Sequence, residues 1–184
     1  PACDNCGISR SCCVPMLSLR NIPIRAWFAT LALGSLGLVA IGMELQVLLR
    51  LNPCPLCIFQ RLLYLLIGAI GLLGAIRPGL RLVWGSLAAT LSLVGFAVAC
   101  YQTWMQAFPH LARECGLSDP NSIEVLVDWL GMQAPGLFLA TGFCTSRDWE
   151  FMGLSMANWS VLVFAAIAVF SGWLAFLAKH ERPS

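Results

Sequence analysis

Two cysteines three residues apart precede a long apolar run, in the stretch NPCPLCIFQR at residues 52–61. Cys54 and Cys57 can close only a very small ring, which makes a poor structural staple but a disulfide that opens and closes easily. Pro55 suits the first turn of a helix, where its missing N–H would be unpaired in any case. The pattern therefore predicts a redox-active pair, with Cys57 in the first helical turn and its sulfur at the positive end of the helix dipole.

Arg61 lies four residues after Cys57, and so one turn deeper on the same face of the predicted helix. Its charge would favour the anionic sulfur of Cys57, by at most about 4 kcal/mol for charges about 4 Å apart at an effective dielectric near 20. The alternative is that Arg61 snorkels to the lipid headgroups. Glu44, in the preceding apolar segment, either pairs with Arg61 or reaches water, and in neither case do we expect it to be a catalyst.

Two further cysteines, Cys115 and Cys144, lie in a long loop on the same side as the Cys54 and Cys57 pair. Four cysteines allow three pairings, and the sequence does not choose among them. Purely structural disulfides are the alternative to a redox role. Cys100 lies inside an apolar segment, where a lone cysteine usually behaves as a small hydrophobic residue.

Residues 1–15, PACDNCGISRSCCVP, are cysteine-rich and lack a helical period, unlike the rest of the chain. We expect them to be a leader or upstream extension, and residues 16–184 to form a single membrane domain. A zinc site within this leader is conceivable, although its cysteines are tightly spaced. Only His110 and His180 could add imidazole ligands, and they are far apart in the sequence, so we predict no metal ligand.

The elements that position these residues are membrane helices. Hydrophobic residues make up 59% of the chain and charged residues only 11%, against about 25% charged in soluble domains. Four segments reach the length of about 20 apolar residues that a membrane helix needs, and isolated strands cannot satisfy their backbone in lipid. The predicted spans are Ile24–Leu49, Cys57–Ile76, Leu82–Trp104 and Trp159–Ala178. We therefore expect an all-α, four-helix membrane bundle whose long extracytoplasmic loop carries a short helix, Asn121–Met132, lying flat on the membrane surface.

Basic residues indicate the orientation of this bundle. Seven of the 11 Lys and Arg residues fall on the side that holds both termini and the turn between Arg77 and Arg81, which makes that side cytoplasmic. The four loop cysteines then face the opposite compartment, where disulfides persist. The basic residues form no run, so we expect no nucleic-acid partner.

These features together resemble a known family. The four spans, NPCPLCIFQR at the outer start of the second span, and GFCTSRDWEFMGLSMANW around Cys144 in the outer loop are similar to the bacterial disulfide-bond-forming membrane oxidoreductases (DsbB), over about residues 16–180. The resemblance implies a multi-pass enzyme of the bacterial inner membrane. Such an enzyme passes electrons from a periplasmic thioredoxin-fold dithiol oxidase of the DsbA type to a membrane quinone, either ubiquinone or menaquinone.

The resemblance also implies a role for each residue of the site. The partner attacks a Cys115–Cys144 disulfide, and Cys115 forms the mixed disulfide with it. Electrons then reach Cys54 and Cys57 by way of a Cys54–Cys144 bridge. Cys57 contacts the quinone, while Arg61 steadies the anion and polarises a quinone carbonyl.

Two positions depart from the family pattern. Gln60 stands where a well-known member has a carboxylate, and Gln102 occupies the expected place of a histidine implicated in quinone contact. We still expect Gln102 to bind the quinone, because its carboxamide can hydrogen-bond to a carbonyl, but it cannot carry a proton.

Two other functions stay open. One is a membrane quinone reductase of the vitamin K epoxide reductase type, although its C-x-x-C pair lies late in the bundle rather than at the second span. The other is a non-enzymatic, disulfide-stapled membrane scaffold or metal-binding module.

Overall fold

A computed structural model describes residues 23–109, 122–147 and 149–180 of the chain. The leader expected at residues 1–15 lies outside the described residues. Cys115, in the long loop, also lies outside them. The helices in the described part of the chain are α1 (Ile24–Leu49), α2 (Pro55–Ile76), α3 (Arg81–Ala107), α4 (Ser122–Gln133), α5 (Pro135–Phe138) and α6 (Met156–His180). A short 3-10 turn at Pro78–Leu80 links α2 to α3, and the strands β1 (Glu150–Phe151) and β2 (Leu154–Ser155) precede α6.

Four of these helices are long and apolar enough to cross a membrane: α1, α2, α3 and Met156–Leu177 of α6. The all-α membrane bundle is thus confirmed, and α1 has the predicted bounds. The other three helices begin one to three residues before their predicted spans, since hydropathy does not mark the residue at which a helix begins. The C-terminus of α1, the N-terminus of α2, the C-terminus of α3 and the N-terminus of α6 lie together, and we call this the cysteine end of the bundle.

The second helix packs against both α1 and α3, and α3 packs against α6. The core includes the stacked rings of Tyr64 and Phe164, whose centroids lie 4.2 Å apart. At Gly71 of α2, a Cβ atom would come within 2.8 Å of the backbone nitrogen of Ala32 in α1. Only a glycine permits this approach, and small residues at helix contacts are how membrane helices pack closely.

The short helix of the loop was predicted correctly in kind, with a difference in its packing. Val127 of α4 is fully buried, in a cluster with Ile58 of α2 and Phe138 of α5. Part of the apolar stripe therefore contacts α2 rather than lying flat on a lipid surface. The helix begins and ends one residue later than predicted, at Ser122 and Gln133, and it stops before Pro135 because a residue that precedes proline is disfavoured in helical conformation.

The hairpin β1–β2 was not predicted. Glu150 pairs with Ser155 and Phe151 with Leu154, around a two-residue turn. Both turn residues have positive φ, 56° at Met152 and 76° at Gly153, which matches the twist that two-residue hairpin turns require. The hairpin brings the loop back to the first turn of α6.

Candidate functional site

The N-terminus of α2 positions both cysteines of the C-x-x-C pair. Cys54 is the N-cap residue, Pro55 opens the helix, and the Cys54 sulfur accepts a hydrogen bond from the backbone N–H of Cys57. The two sulfur atoms are 3.1 Å apart, and the Cys54 thiol donates to the Cys57 sulfur. Because a disulfide bond is about 2.05 Å long, a movement of about 1 Å would join them.

A third cysteine, Cys144, contacts the C-x-x-C pair through Cys54. Cys144 is buried, as is Cys54, and the two thiols are hydrogen-bonded. The hydrogen bond with Cys144, the hydrogen bond with Cys57 and burial together raise the pKa of the Cys54 thiol well above its ordinary value. Cys54 thus contacts the sulfur on either side of it and is held as a neutral thiol between them.

Two backbone hydrogen bonds hold the Cys144 segment against the approach to α2. The N–H groups of Thr141 and Gly142 both donate to the carbonyl oxygen of Pro53, at 2.9 and 3.1 Å. A Cβ atom at Gly142 would lie only 2.1 Å from the carbonyl oxygen of Asn52. The close contact between the segments therefore depends on glycine at position 142.

A second set of bonds anchors the same segment to α3. The Gln106 carboxamide donates to the carbonyl of Ser146 at 2.9 Å and accepts from the Ser155 hydroxyl at 2.6 Å. The Arg147 guanidinium donates to the backbone carbonyl of Gln106. Gln106 and Ser155 are both buried, and the network anchors the segment to α3 in addition to its bonds with Pro53.

Two buried glutamines complete the surroundings of the sulfurs. Gln102 of α3 donates its side-chain amide to the Cys57 sulfur at 3.1 Å and to the Cys54 sulfur at 3.4 Å. Its carbonyl oxygen accepts from the Gln60 amide at 2.8 Å. Gln102 therefore lies where the sequence predicted a residue of the site, but its present contacts are with sulfur and with Gln60.

Arg61 turns into the bundle. Its guanidinium donates to the side-chain oxygen of Gln46 in α1 and to the carbonyl of Leu137, each at 2.7 Å. Glu44 is exposed and forms no ion pair with Arg61, so the expected pairing of Glu44 with Arg61 is wrong, and its contact with water stays a prediction. Gln46, two residues further along α1, was missed; its polar side chain near the end of an apolar span was the available signal.

These residues face one cavity of about 370 Å³ at the cysteine end. Apolar side chains of α1 and α6 form its walls, while Cys57, Gln46, Arg61 and Gln102 form a polar end. Ile41 lines the cavity and is 60% exposed, so the cavity reaches the lipid-facing surface of α1. The arrangement can admit a flat apolar molecule with polar substituents and place it beside Cys57.

Cys100 lies apart from this group. It is a free, half-buried cysteine in α3, two residues before Gln102, and it does not line the cavity. This position is consistent with the predicted role as a small hydrophobic residue. The structure thus brings together Cys54, Cys57, Cys144, Arg61 and Gln102, while the predicted role of Cys115 stays a prediction.

Comparisons with known proteins agree with this geometry. The family model described as disulfide bond formation protein DsbB matches residues 24–174. Disulfide bond formation protein B of Dechloromonas aromatica is 70% identical over 161 residues, which are 88% of this chain and 97% of that protein. The proteins of the same name from Azoarcus sp. (strain BH72) and Nitrosomonas europaea are 39% and 37% identical, over 76% and 82% of this chain and 85% and 93% of their own lengths.

The matched region contains α1, α2 and α3, most of α6, and the three cysteines that the structure brings together. Three cysteine sulfurs in contact at the end of a membrane helix bundle are suited to thiol–disulfide exchange. This chain belongs to the DsbB family of membrane proteins that act in disulfide bond formation.

Proposed function

We propose that this protein is a thiol:quinone oxidoreductase that reoxidises a periplasmic thioredoxin-fold dithiol oxidase of the DsbA type. The observation that carries the proposal is the position of Cys54, in contact with the sulfurs of both Cys144 and Cys57, while Cys57 lines a cavity that reaches the lipid-facing surface. A soluble partner can approach the loop, and a lipid-soluble acceptor can approach the cavity. The Cys115 and Cys144 pair would then react with a partner in the aqueous phase, and the Cys54 and Cys57 pair with an acceptor in the lipid phase.

Electrons enter through the loop cysteines. The partner's dithiol attacks a Cys115–Cys144 disulfide, so that Cys115 takes the partner's sulfur and Cys144 leaves as a thiolate. Cys144 next attacks Cys54, which forms a Cys54–Cys144 bond and breaks the Cys54–Cys57 bond. Cys57 leaves as a thiolate. The burial of Cys54 between the other two sulfurs supports this order.

The cycle closes by a second exchange. The partner's second thiol releases its disulfide from Cys115, and Cys115 then attacks Cys144, which restores the loop disulfide and frees Cys54. The Cys54 and Cys57 pair now holds two more electrons and two protons than its disulfide form. A bound quinone supplies a two-electron, two-proton acceptor, so the overall change is dithiol plus quinone to disulfide plus quinol.

The residues of the cavity fit such a ring. Its walls are apolar, as a ring and its isoprenoid tail require, and a few polar groups at one end can fix the orientation. Arg61 and Gln46 are the groups that we expect to hold a quinone carbonyl, with Gln102 beside them. The bond from Arg61 to the Gln46 oxygen leaves the Gln46 amide group to act as a donor.

The expected orientation places the site on the periplasmic side of the inner membrane. Arg25, Arg77 and Arg81 lie at or near the bundle end opposite to the cysteines, and basic residues mark the cytoplasmic side. Both termini are then cytoplasmic. Chemical modification of single cysteines introduced at each end of the bundle in intact cells would test this orientation.

The proposal is tested by quinone reduction with a reduced thioredoxin-fold partner. The change Cys57→Ala is expected to abolish quinone reduction while a mixed disulfide at Cys115 still forms, and Cys115→Ala is expected to block the partner's entry. Cys100→Ala is the matched control and should keep full activity. Quinone-dependent oxidation that survives the loss of both Cys57 and Cys115 would contradict the proposal.

A further inference from the structure

Two glutamine side chains form a hydrogen-bonded pair directly beneath the reactive sulfurs. Gln60 of α2 is only 4% exposed and Gln102 of α3 only 2% exposed. Gln60 donates to the Gln102 oxygen at 2.8 Å, and Gln102 donates to Cys57 and Cys54 at 3.1 and 3.4 Å. Burying two carboxamides in an apolar bundle is costly unless their groups are paired, so the direction of these bonds is informative.

We propose that Gln60 and Gln102, the amide pair, stabilise the Cys57 thiolate and thereby make Cys57 the leaving group of the Cys54–Cys57 disulfide. Gln102 is the catalytic residue, because its N–H contacts the reacting sulfur. Gln60 is a positioning residue that acts through Gln102. The proposal rests on the proposed function in one respect, that Cys57 leaves when Cys144 attacks Cys54.

The reason lies in the two ends of a carboxamide. One end of Gln102 donates and the other accepts, and a rotation of 180° would exchange them at nearly the same shape. The N–H of the Gln60 carboxamide donates to the oxygen of Gln102. This bond therefore turns the donor end of Gln102 toward the sulfurs, whereas the rotated form would place an oxygen lone pair against an anion.

The donor that persists at Cys57 agrees with this role. In the reduced protein the Cys57 sulfur accepts from the Gln102 amide and from the Cys54 thiol; when Cys144 attacks Cys54, that thiol hydrogen is absent and the Gln102 amide remains as the donor. Hydrogen bonds to a charged group are about twice as strong as those between neutral groups. In thiol–disulfide exchange the better-stabilised thiolate leaves faster, so attack at Cys54 is favoured over attack at Cys57. A carboxamide does not titrate, and this donor therefore persists at every pH of interest.

The test measures the reactivity of Cys57 without quinone or partner. In a protein whose other eight cysteines are replaced by serine, the rate of Cys57 alkylation at a fixed, near-neutral pH reports the thiolate population. Removal of the donor by Gln102→Leu is expected to lower this rate about threefold to tenfold. The thiolate loses a charge-assisted hydrogen bond, and the higher nucleophilicity of a more basic thiolate offsets part of that loss.

The variants at Gln60 separate positioning from packing. The change Gln60→Glu supplies an acceptor in place of the donor, which turns the Gln102 oxygen toward sulfur, so its loss of rate should equal or exceed that of Gln102→Leu. The near-isosteric Gln60→Met removes the bond without reversing it and should give a smaller loss. Gln133→Glu, the same change at an exposed glutamine of α4, is the control and should leave the rate unchanged.

A double-variant cycle completes the test. In the Gln102→Leu background, Gln60→Met should cause no further loss, since Gln60 acts only through Gln102. Unchanged alkylation in Gln60→Met and Gln102→Leu, or losses that simply add, would overturn the proposal. The Gln60→Met variant keeps the test decisive if Gln60→Glu fails to fold. Because quinone is not used, this result is independent of whether Cys57→Ala abolishes quinone reduction.

Discussion

Substitution of Gly142 by alanine should uncouple the loop cysteines from the C-x-x-C pair. A Cβ atom at this position would lie 2.1 Å from the carbonyl oxygen of Asn52, whereas real Cβ atoms keep at least 3.0 Å from such atoms. The two segments must then separate by about 1 Å, and a misplacement of this size at a reacting centre can cost about 100-fold in rate. The separation also weakens two hydrogen bonds to Pro53, worth about 1 kcal/mol each.

Two electron donors distinguish this effect from general damage. Quinone reduction driven by a reduced thioredoxin-fold partner must pass from Cys144 to Cys54, and we expect it to fall about 100-fold in Gly142→Ala for the reason of geometry given above. Reduction driven by a small dithiol, which can attack the Cys54–Cys57 disulfide directly, should be unchanged.

The control is Gly136→Ala in α5, where a Cβ atom would meet nothing within 4 Å. It should leave both rates as they are. Equal partner-driven rates in Gly142→Ala and in the unaltered protein would refute the reasoning, because the Cys144 segment would then not need its close contact with Asn52. An equal fall of both rates would show instead that the substitution damages the whole fold.

Three further outcomes are expected. Replacement of Arg61 by methionine removes two charged hydrogen bonds, including that to Gln46, and should weaken the apparent affinity for quinone about tenfold. Unchanged quinone affinity and rate would favour the alternative role of Arg61 at the lipid headgroups. In the reduced protein the pKa of the Cys54 thiol is raised above its ordinary value of 9.0, so the unfolded chain loses the thiol proton at a lower pH than the folded protein. The free energy of unfolding should therefore fall as the pH rises above about 9. Thermal unfolding of Cys54→Ser should lack the part of this fall that Cys54 causes. The change Gly95→Ala forces a Cβ atom against the buried ring of Phe164 and should lower the free energy of unfolding by about 1–3 kcal/mol. Denaturation in detergent measures this change, and an unaltered denaturation midpoint would contradict the close packing of Gly95 against Phe164.

The sequence predicted the membrane helices well because lipid imposes a strong rule on each one separately. A segment that crosses the hydrocarbon core outside a closed barrel of strands must be helical and apolar over about 20 residues, and α1 has the predicted bounds, Ile24–Leu49. The hairpin at Met152 and Gly153 follows no such rule. It depends on a positive φ at a methionine, a conformation that is uncommon for residues other than glycine, and no local pattern in the sequence signals it.

The same contrast holds within the site. Proline and spacing placed Cys54 and Cys57 at the start of α2, because both signals act within one helical turn. The contact between Gln60 and Gln102 joins residues 42 positions apart and is set by how α2 packs against α3. Gln46 and Gly142 likewise act through contacts with a neighbouring element, and those contacts cannot be read from the sequence.

The contact between Cys54 and Cys144 is tested most directly by mapping disulfides in the Cys115→Ala variant. Without Cys115, the Cys144 thiol of quinone-oxidised protein can react only with the Cys54–Cys57 disulfide. Acid quenching, alkylation of free thiols and mass spectrometry of the peptides should then identify a Cys54–Cys144 bond together with alkylated Cys57. A Cys57–Cys144 bond, or a Cys144 that stays free, would contradict a relay in which Cys54 passes electrons between the loop and the cavity.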